Sequence, residues 1–231
     1  MAAATASIFT LPKLYKSTFN PKLISLLPQK PTLSSSFSIS YIPFKVQLPK
    51  RNVQQSHAHT TNTFPRIFAT ISAGDKLPNS TLSYFDSSDE LKTLSVSDLT
   101  SGKKVVLFAV PGAFTPTCSQ KHLPGFVEKS KELKAKGVDV IACVSVNDAF
   151  VMKAWKEDLK IGDEVLLLSD GNLEFTKAIG CELDLSDKPI GLGVRSRRYA
   201  MLVEDGVVKV LNLEEGGAFN VSSADDILKS L

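Results

Sequence analysis

The first 70 of the chain's 231 residues contain no aspartate or glutamate. Lys13, Lys16, Lys22, Lys30, Lys45, Lys50, Arg51 and Arg66 are scattered there among Ser, Thr and Pro, behind the opening "MAAATASIFT". The missing acid excludes an ordinary globular surface, and the missing continuous apolar stretch excludes a secretory signal. Spread singly, the charges also lack the clustering of an arm that binds nucleic acid or lipid. What remains is the composition of a transit peptide, whose length and serine content point to plastid import. Residues 1–70 are therefore expected to be a disordered, removable chloroplast leader, cut between Ala69 and Ser72, and residues 71–231 one folded domain.

No apolar run approaches the roughly 18 residues needed to span a bilayer, so the mature part is expected to be soluble and free of the membrane. Without the leader, 19 basic side chains face 24 acidic ones, and a net charge of −5 removes the electrostatic case for a nucleic-acid partner. After residue 70 there are only one histidine, His122, and three cysteines, Cys118, Cys143 and Cys181, none spaced as in a zinc site or a CxxC pair. No metal or other cofactor is expected. In a reducing compartment such thiols are reactive or simply buried, and do not form a disulfide framework.

What is present is an alternation of strand-like and helix-like segments. A hairpin is expected to open at Thr81–Phe85, with "KTLSVSDL" as its second extended piece and a turn at Ser101-Gly102. "KKVVLFAV", Lys103–Val110, is a continuous apolar run bounded by charge and by Pro111-Gly112, as suits a strand buried on both faces. From Pro116 the pattern is helical, with a kink expected at Pro124 and stop signals in "KELKAKG". "VDVIACVSV" and "VLLLSD" read as buried strands. Between them "NDAFVMKAWKEDL" reads as a helix capped by Asn147 or Asp148, with Phe150, Val151, Ala154 and Trp155 on one side. "NLEFTKAIG" gives a short helix, "RRYAMLVEDGVVKVLNLEE" two strands about Asp205-Gly206, and "SADDILKSL" a last helix capped by Ser222 or Ser223. "GLGVR", Gly191–Arg195, lacks the third glycine of a phosphate-cradling turn and reads as a loop. This order implies an α/β, thioredoxin-like fold: a mixed central sheet flanked by helices, with an N-terminal β-hairpin added.

Cys118 follows the first buried strand, in "PGAFTPTC". In a βα unit that loop lies at the carboxyl end of the strand, and the next helix presents unpaired backbone N–H groups there. A thiolate in such a first turn is stabilised by the helix dipole. Burial as an ordinary core residue is the commoner fate of cysteine, but Thr115, Thr117 and Ser119 weigh against a purely apolar setting. Thr115 stands where a disulfide-exchange catalyst carries its other sulfur; its hydroxyl cannot form a disulfide but can hydrogen-bond a small polar substrate. Pro111 ends the strand, stiffens the loop and is expected to shield the sulfur from water. His122, four residues after Cys118, raises a Cys-His hydrolase as an alternative. No third orienting residue is evident, so its expected role is peripheral packing.

"PGAFTPTC" resembles the Pro-x-x-x-Thr-x-x-Cys signature of the peroxiredoxins. "SQKHLPGF", "SVNDAFVMKAW", "LLSDGN" and "RSRRYAMLVEDG" are similar to the type II subgroup of plants and its animal relatives, and the resemblance runs in order over residues 72 to 231. It implies a thiol peroxidase acting on hydrogen peroxide and alkyl hydroperoxides. Cys118 would be the peroxidatic nucleophile passing through a sulfenic acid, Thr115 would hydrogen-bond the peroxide, and an arginine would complete the site. Arg198, just before "YAMLV", matches that arginine, with Arg195 and Arg197 close beside it. A guanidinium stays charged at any working pH and can bond an oxygen gaining negative charge. Arginines at a strand start also fit a solvated edge, and strand alternation sends Arg197 and Arg198 to opposite faces.

From the residues alone, Cys143 in mid-strand is a small buried apolar group. The resemblance implies instead that it is the resolving cysteine, forming an intramolecular disulfide with Cys118. Such a bond needs Cα atoms within about 7 Å, hence local unwinding near Cys118. A one-cysteine cycle stays open, in which glutathione, glutaredoxin or thioredoxin attacks the sulfenic acid. Cys181 matches no family role and is expected to be structural. Phe114, Phe126, Phe150 and Trp155 are expected as pocket wall or core, with an exposed subset forming a dimer face in a monomer or weak homodimer of the plastid stroma. The competing class is a peroxide-sensing interaction protein that relays a disulfide to a partner through the same sulfur.

Overall fold

The computed structural model describes residues 69–231, so residues 1–68 of the expected leader lie outside the described residues. In chain order the strands are β1 (Thr81–Phe85), β2 (Leu91–Ser95), β3 (Lys104–Val110), β4 (Val140–Ser145), β5 (Leu166–Ser169), β6 (Glu182–Leu185), β7 (Gly193–Ser196), β8 (Tyr199–Glu204) and β9 (Val207–Leu213). The helices are α1 (Val96–Thr100), α2 (Leu123–Glu128), α3 (Ser130–Ala135), α4 (Ala149–Asp158), α5 (Glu174–Ala178) and α6 (Ala224–Leu228), and a π-helical turn, Cys118–His122, precedes α2.

The runs without a polar face occupy the middle of a mixed seven-stranded sheet ordered β2-β1-β5-β4-β3-β8-β9. There β3 pairs in parallel with β4 and antiparallel with β8, while β1 and β2 pair antiparallel at the edge. Alternation divides the apolar side chains between the two faces. Val106, Phe108, Val110, Cys143, Ala200 and Leu202 share one face with Cys118, Phe126 and Trp155. Leu107, Ala109, Val144, Tyr199 and Met201 share the other with Phe175 and Cys181. The thioredoxin-like sheet flanked by helices is as expected. Asp205 and Gly206, both at positive φ, make the tight β8–β9 turn their dipeptide favours.

Several local expectations are corrected. "KTLSVSDL" is not extended throughout: Ser95 Oγ accepts from Asp98 N at 3.0 Å, and this cap starts α1 at Val96. The helix after Pro116, expected to kink at Pro124, carries a π-helical irregularity in the turn directly before that proline, where Leu123 N–H reaches back to Cys118 O. Proline lacks an N–H and crowds the carbonyl four residues before it, and a widened π turn ahead of Pro124 relieves both demands. Asp148, not Asn147, caps α4, and its buried stripe is Ala149, Met152 and Trp155, leaving Phe150 67% exposed and Ala154 exposed. Gly193–Arg195 is not loop but part of β7, which pairs with β6.

Candidate active site

Strand β3 ends at Val110, and Pro111, buried, delivers the chain into the loop 112–115. Three contacts hold that loop. Thr115 Oγ donates to Gly112 O at 2.9 Å, Asn147 Oδ1 accepts from Ala113 N at 3.0 Å, and Ser145 Oγ donates to the same Asn147 oxygen at 2.8 Å. A Cβ on Gly112 would come within 3.3 Å of Thr115 Cγ2, so a glycine lets the loop close this tightly. Phe114 takes φ +62, a left-handed conformation that a bulky side chain adopts only where its surroundings impose it. Helical winding begins at Pro116, a favoured first helical residue, with Ser119 N donating to Thr115 O at 3.0 Å. Trp155 Nε1, from the fully buried α4 indole, donates to Ser119 Oγ at 3.0 Å and ties the turn to the core.

This places Cys118 at the start of the π-helical turn with no accessible surface. Thr115, Thr117 and Ser119 are part-exposed around it, but the sulfur itself joins the apolar cluster, contrary to the expectation of a more polar setting. Its polar neighbour is Arg198, whose Nη1 donates to Cys118 Sγ at 3.5 Å. The three candidate arginines separate cleanly. Arg198 is 3% exposed beneath the sulfur, Arg197 pairs with Glu215 at 2.7 Å on the surface, and Arg195 donates to the carbonyls of Leu192 and Val146. Arg197 and Arg198, in the link between β7 and β8, thus point apart as expected.

His122 is not peripheral. It is 1% exposed; its Nδ1 lies 3.2 Å from Arg198 Nη1 and its Nε2 2.9 Å from Ser222 O. Arg198 Nε donates to Ala218 O at 3.0 Å, and the guanidinium lies over the Phe219 ring. Glu214, 2% exposed, fixes the segment that supplies these carbonyls: its Oε1 accepts from the N–H groups of Asn220, Val221 and Ser222 and from Ser222 Oγ. Burial works against that carboxylate's charge, but the Val221, Asn220 and Ser222 donors outweigh it and hold the group below the usual range. Sequence reading missed Glu214, which carries no local signal. The signal for His122 was a lone histidine in "KHLPGF", one helical turn from the cysteine.

Burial, and then the Arg198 charge, push His122 from its ordinary 6.5 down to about 3, against the opposing Ser222 bond. Between those values the unfolded chain binds a proton that the folded chain excludes, so stability rises with pH across that window and is lost as pH falls through it. The expected slope reaches about 1.4 kcal/mol per pH unit. His122→Asn should flatten this limb above the carboxylate range in a series of urea melts. Equal slopes for the two proteins would contradict the buried, neutral imidazole.

All three cysteines are free and buried. Cys143, opposite Phe108 in the β3–β4 ladder, shares the face of Cys118. Burial pushes its thiol well up, a charge on Cys118 adds to the rise, and Arg198 opposes it. Cys181 lies in the other core, where burial pushes its thiol up to about 11. Phe126 and Trp155 are core, whereas Phe114 and Phe150 are exposed. A 340 Å³ cavity between α4 and the β1–β2 turn, lined by Phe85, Met152 and Lys153, lies apart from these groups and holds no cysteine.

The Redoxin family model matches residues 72–228. The chain is 75% identical over 167 residues to the chloroplastic peroxiredoxin-2E-2 of Oryza sativa subsp. japonica, covering 71% of this chain and 74% of that one. It is 65% identical over 204 residues to the chloroplastic peroxiredoxin-2E of Arabidopsis thaliana, covering 87% of each. Among solved structures, reduced Prx3 of Vibrio vulnificus in complex with hydrogen peroxide is 52% identical with a TM-score of 0.65, over 70% of this chain and 99% of that one. These likenesses extend across sheet and helices at identities well beyond a shared fold, and the chain therefore belongs to the redoxin family, among the peroxiredoxins, and is a thiol peroxidase.

Proposed function

We propose that Cys118 is the peroxidatic nucleophile of this thiol peroxidase and that Arg198, Thr115 and Pro111 complete its site. The observation that carries this reading is the Arg198 Nη1–H aimed at Cys118 Sγ over 3.5 Å in a site closed to bulk water. The guanidinium sets a permanent positive charge and an N–H donor against the sulfur, where it can bond the oxygen that gains charge. The thiolate's electron pair attacks one oxygen of hydrogen peroxide or an alkyl hydroperoxide, and the O–O bond breaks. Its electron pair departs on the other oxygen, which takes a proton to leave as water or alcohol, while the sulfur is oxidised to sulfenic acid. The Thr115 hydrogen is committed to Gly112 O, so the hydroxyl's lone pairs are free to accept the peroxide proton. Pro111 brings no N–H to the loop and is buried against water.

We read Cys143 as the resolving residue: its sulfur attacks the sulfenic acid, water leaves, and a Cys118–Cys143 disulfide forms. Its place on the Cys118 face supports this, and its burial requires the turn to open first. A π-helical turn is a local departure from α-helical register and suits such opening. Glutaredoxin or thioredoxin would then reduce the disulfide, or glutathione the sulfenic acid directly. The chloroplastic relatives and the acid-free leader, residues 1–70, support a plastid destination with removal of that leader. Exposed Phe114 and Phe150 are the support for a monomer that weakly dimerises.

One equivalent of hydrogen peroxide added to the reduced chain tests this reading. The peroxide should vanish within seconds and free thiols fall from the three present to one; persistence of the peroxide would end it. A fall only to two would assign resolution to an external thiol. Hydrogen exchange of residues 115–122 should speed up on oxidation, and unchanged protection would argue against the opening of the turn. With a reductant supplied, a sensor would stall after about one equivalent, whereas the peroxidase turns over many.

A further inference from the structure

The chemistry above leaves His122 without a task, yet its ring is placed with little freedom. Ser222 O, 2.9 Å from Nε2, is a carbonyl and can only accept, so Nε2 carries the proton. Nδ1 is then a bare lone pair, 3.2 Å from Arg198 Nη1. Phe108, Phe126 and Phe219 surround the rest of the ring at centroid distances of 5.0, 5.6 and 5.0 Å. The same Nη1 donates to Cys118 Sγ, and Nε is pinned to Ala218 O. A guanidinium is a rigid plane, so three fixed acceptors define its orientation, while two would leave it free to pivot about the Ala218 bond.

We propose that His122 is a positioning residue: its Nδ1 lone pair, and not a charge, holds Arg198 Nη1 on the Cys118 sulfur. The inference rests on the reading of Arg198 as the site's cation. A neutral acceptor suits this place better than the alternatives. A carboxylate would compete with the sulfur for the guanidinium, a cation would repel it, and an apolar side chain would leave a buried N–H unpaired. The Glu214 carboxylate, by gathering four donors from residues 220–222, fixes the carbonyl that sets the tautomer. Orientation therefore passes from Glu214 through Ser222 and His122 to Arg198 and the sulfur.

Full-chain variants test this through the second-order rate of Cys118 oxidation by hydrogen peroxide. His122→Phe keeps the aromatic volume without the acceptor and should react at least about ten-fold more slowly. His122→Asn puts an amide oxygen where Nδ1 stood and should recover to within about three-fold of the parent. On an Arg198→Met background, His122→Phe should cost nothing more, because the histidine acts only through the arginine. A parental rate for His122→Phe, an asparagine variant as slow as the phenylalanine one, or the full additional loss on the Arg198→Met background would each overturn the proposal. If Arg198→Met itself reacts at the parental rate, the reading of Arg198 fails instead, and the His122 proposal fails with it. Nitrogen NMR of the unsubstituted protein gives an independent readout if the variants do not fold. At neutral pH His122 should be the neutral Nε2–H tautomer with a bare Nδ1, and an Nδ1–H tautomer or an imidazolium would refute the proposal.

Discussion

Cys118→Ser should abolish peroxide consumption and leave the fold intact. Serine offers a hydroxyl that stays protonated at working pH, and its hard oxygen does not displace at a peroxide bond as a polarisable thiolate does. The exchange removes little volume, and Ser Oγ would accept the Arg198 N–H in place of the sulfur, so the guanidinium keeps its partner. Neither remaining thiol can take over. Cys143 sits in mid-strand with no accessible surface, and burial raises its thiol well above the ordinary range. Cys181 lies in the other core with a thiol near 11, and neither accepts an arginine hydrogen bond as Cys118 does. The rate should fall by about four orders of magnitude or more, as it does when an enzyme loses its nucleophile. Peroxide loss with a dithiol reductant in excess measures it. Retention of more than about a hundredth of the parental rate would mean that the reacting sulfur is elsewhere.

The sheet and the placement of Cys118 were legible because each rests on a local pattern. Apolar runs such as Lys104–Val110 and Val140–Ser145 have no polar face, so they are buried wherever they go, and the Pro-Gly break after β3 marks where the chain leaves the sheet. Arg198 was legible only beside a family signature, since three clustered arginines look alike until the fold turns one inward and leaves Arg197 paired with Glu215. The π-helical turn was hidden because the extra residue is a choice of backbone register that side-chain periodicity does not record. The face of α4 was misread by its first turn: Phe150 is apolar, but it packs on Phe85 outside the core, and the stripe begins one residue earlier at Ala149. His122 and Glu214 escaped because their partners lie 76 to 100 positions away for the first and are mostly backbone groups for the second. Neither kind of contact leaves a motif.

Arg198→Lys should be nearly as damaging as Arg198→Met, although it keeps a positive charge. The guanidinium engages Ala218 O through Nε and both Cys118 Sγ and His122 Nδ1 through Nη1, while its plane lies over Phe219. An ammonium is a single point on a flexible stem and cannot occupy both nitrogen positions at once, and burial depresses its charge where the arginine keeps it. If charge alone mattered, lysine would rescue; if the oriented fork matters, it will not. Losing an oriented donor to the reacting atoms costs about 10²–10³-fold in comparable sites, and both variants should fall in that range for oxidation by hydrogen peroxide at neutral pH. Methionine also leaves Ala218 O and His122 Nδ1 without a partner in a buried place, a loss of roughly 1–3 kcal/mol that urea unfolding would register. A lysine variant within about ten-fold of the parent would show that a nearby charge suffices, and that the geometry holding Arg198 beneath the sulfur serves the fold more than the reaction.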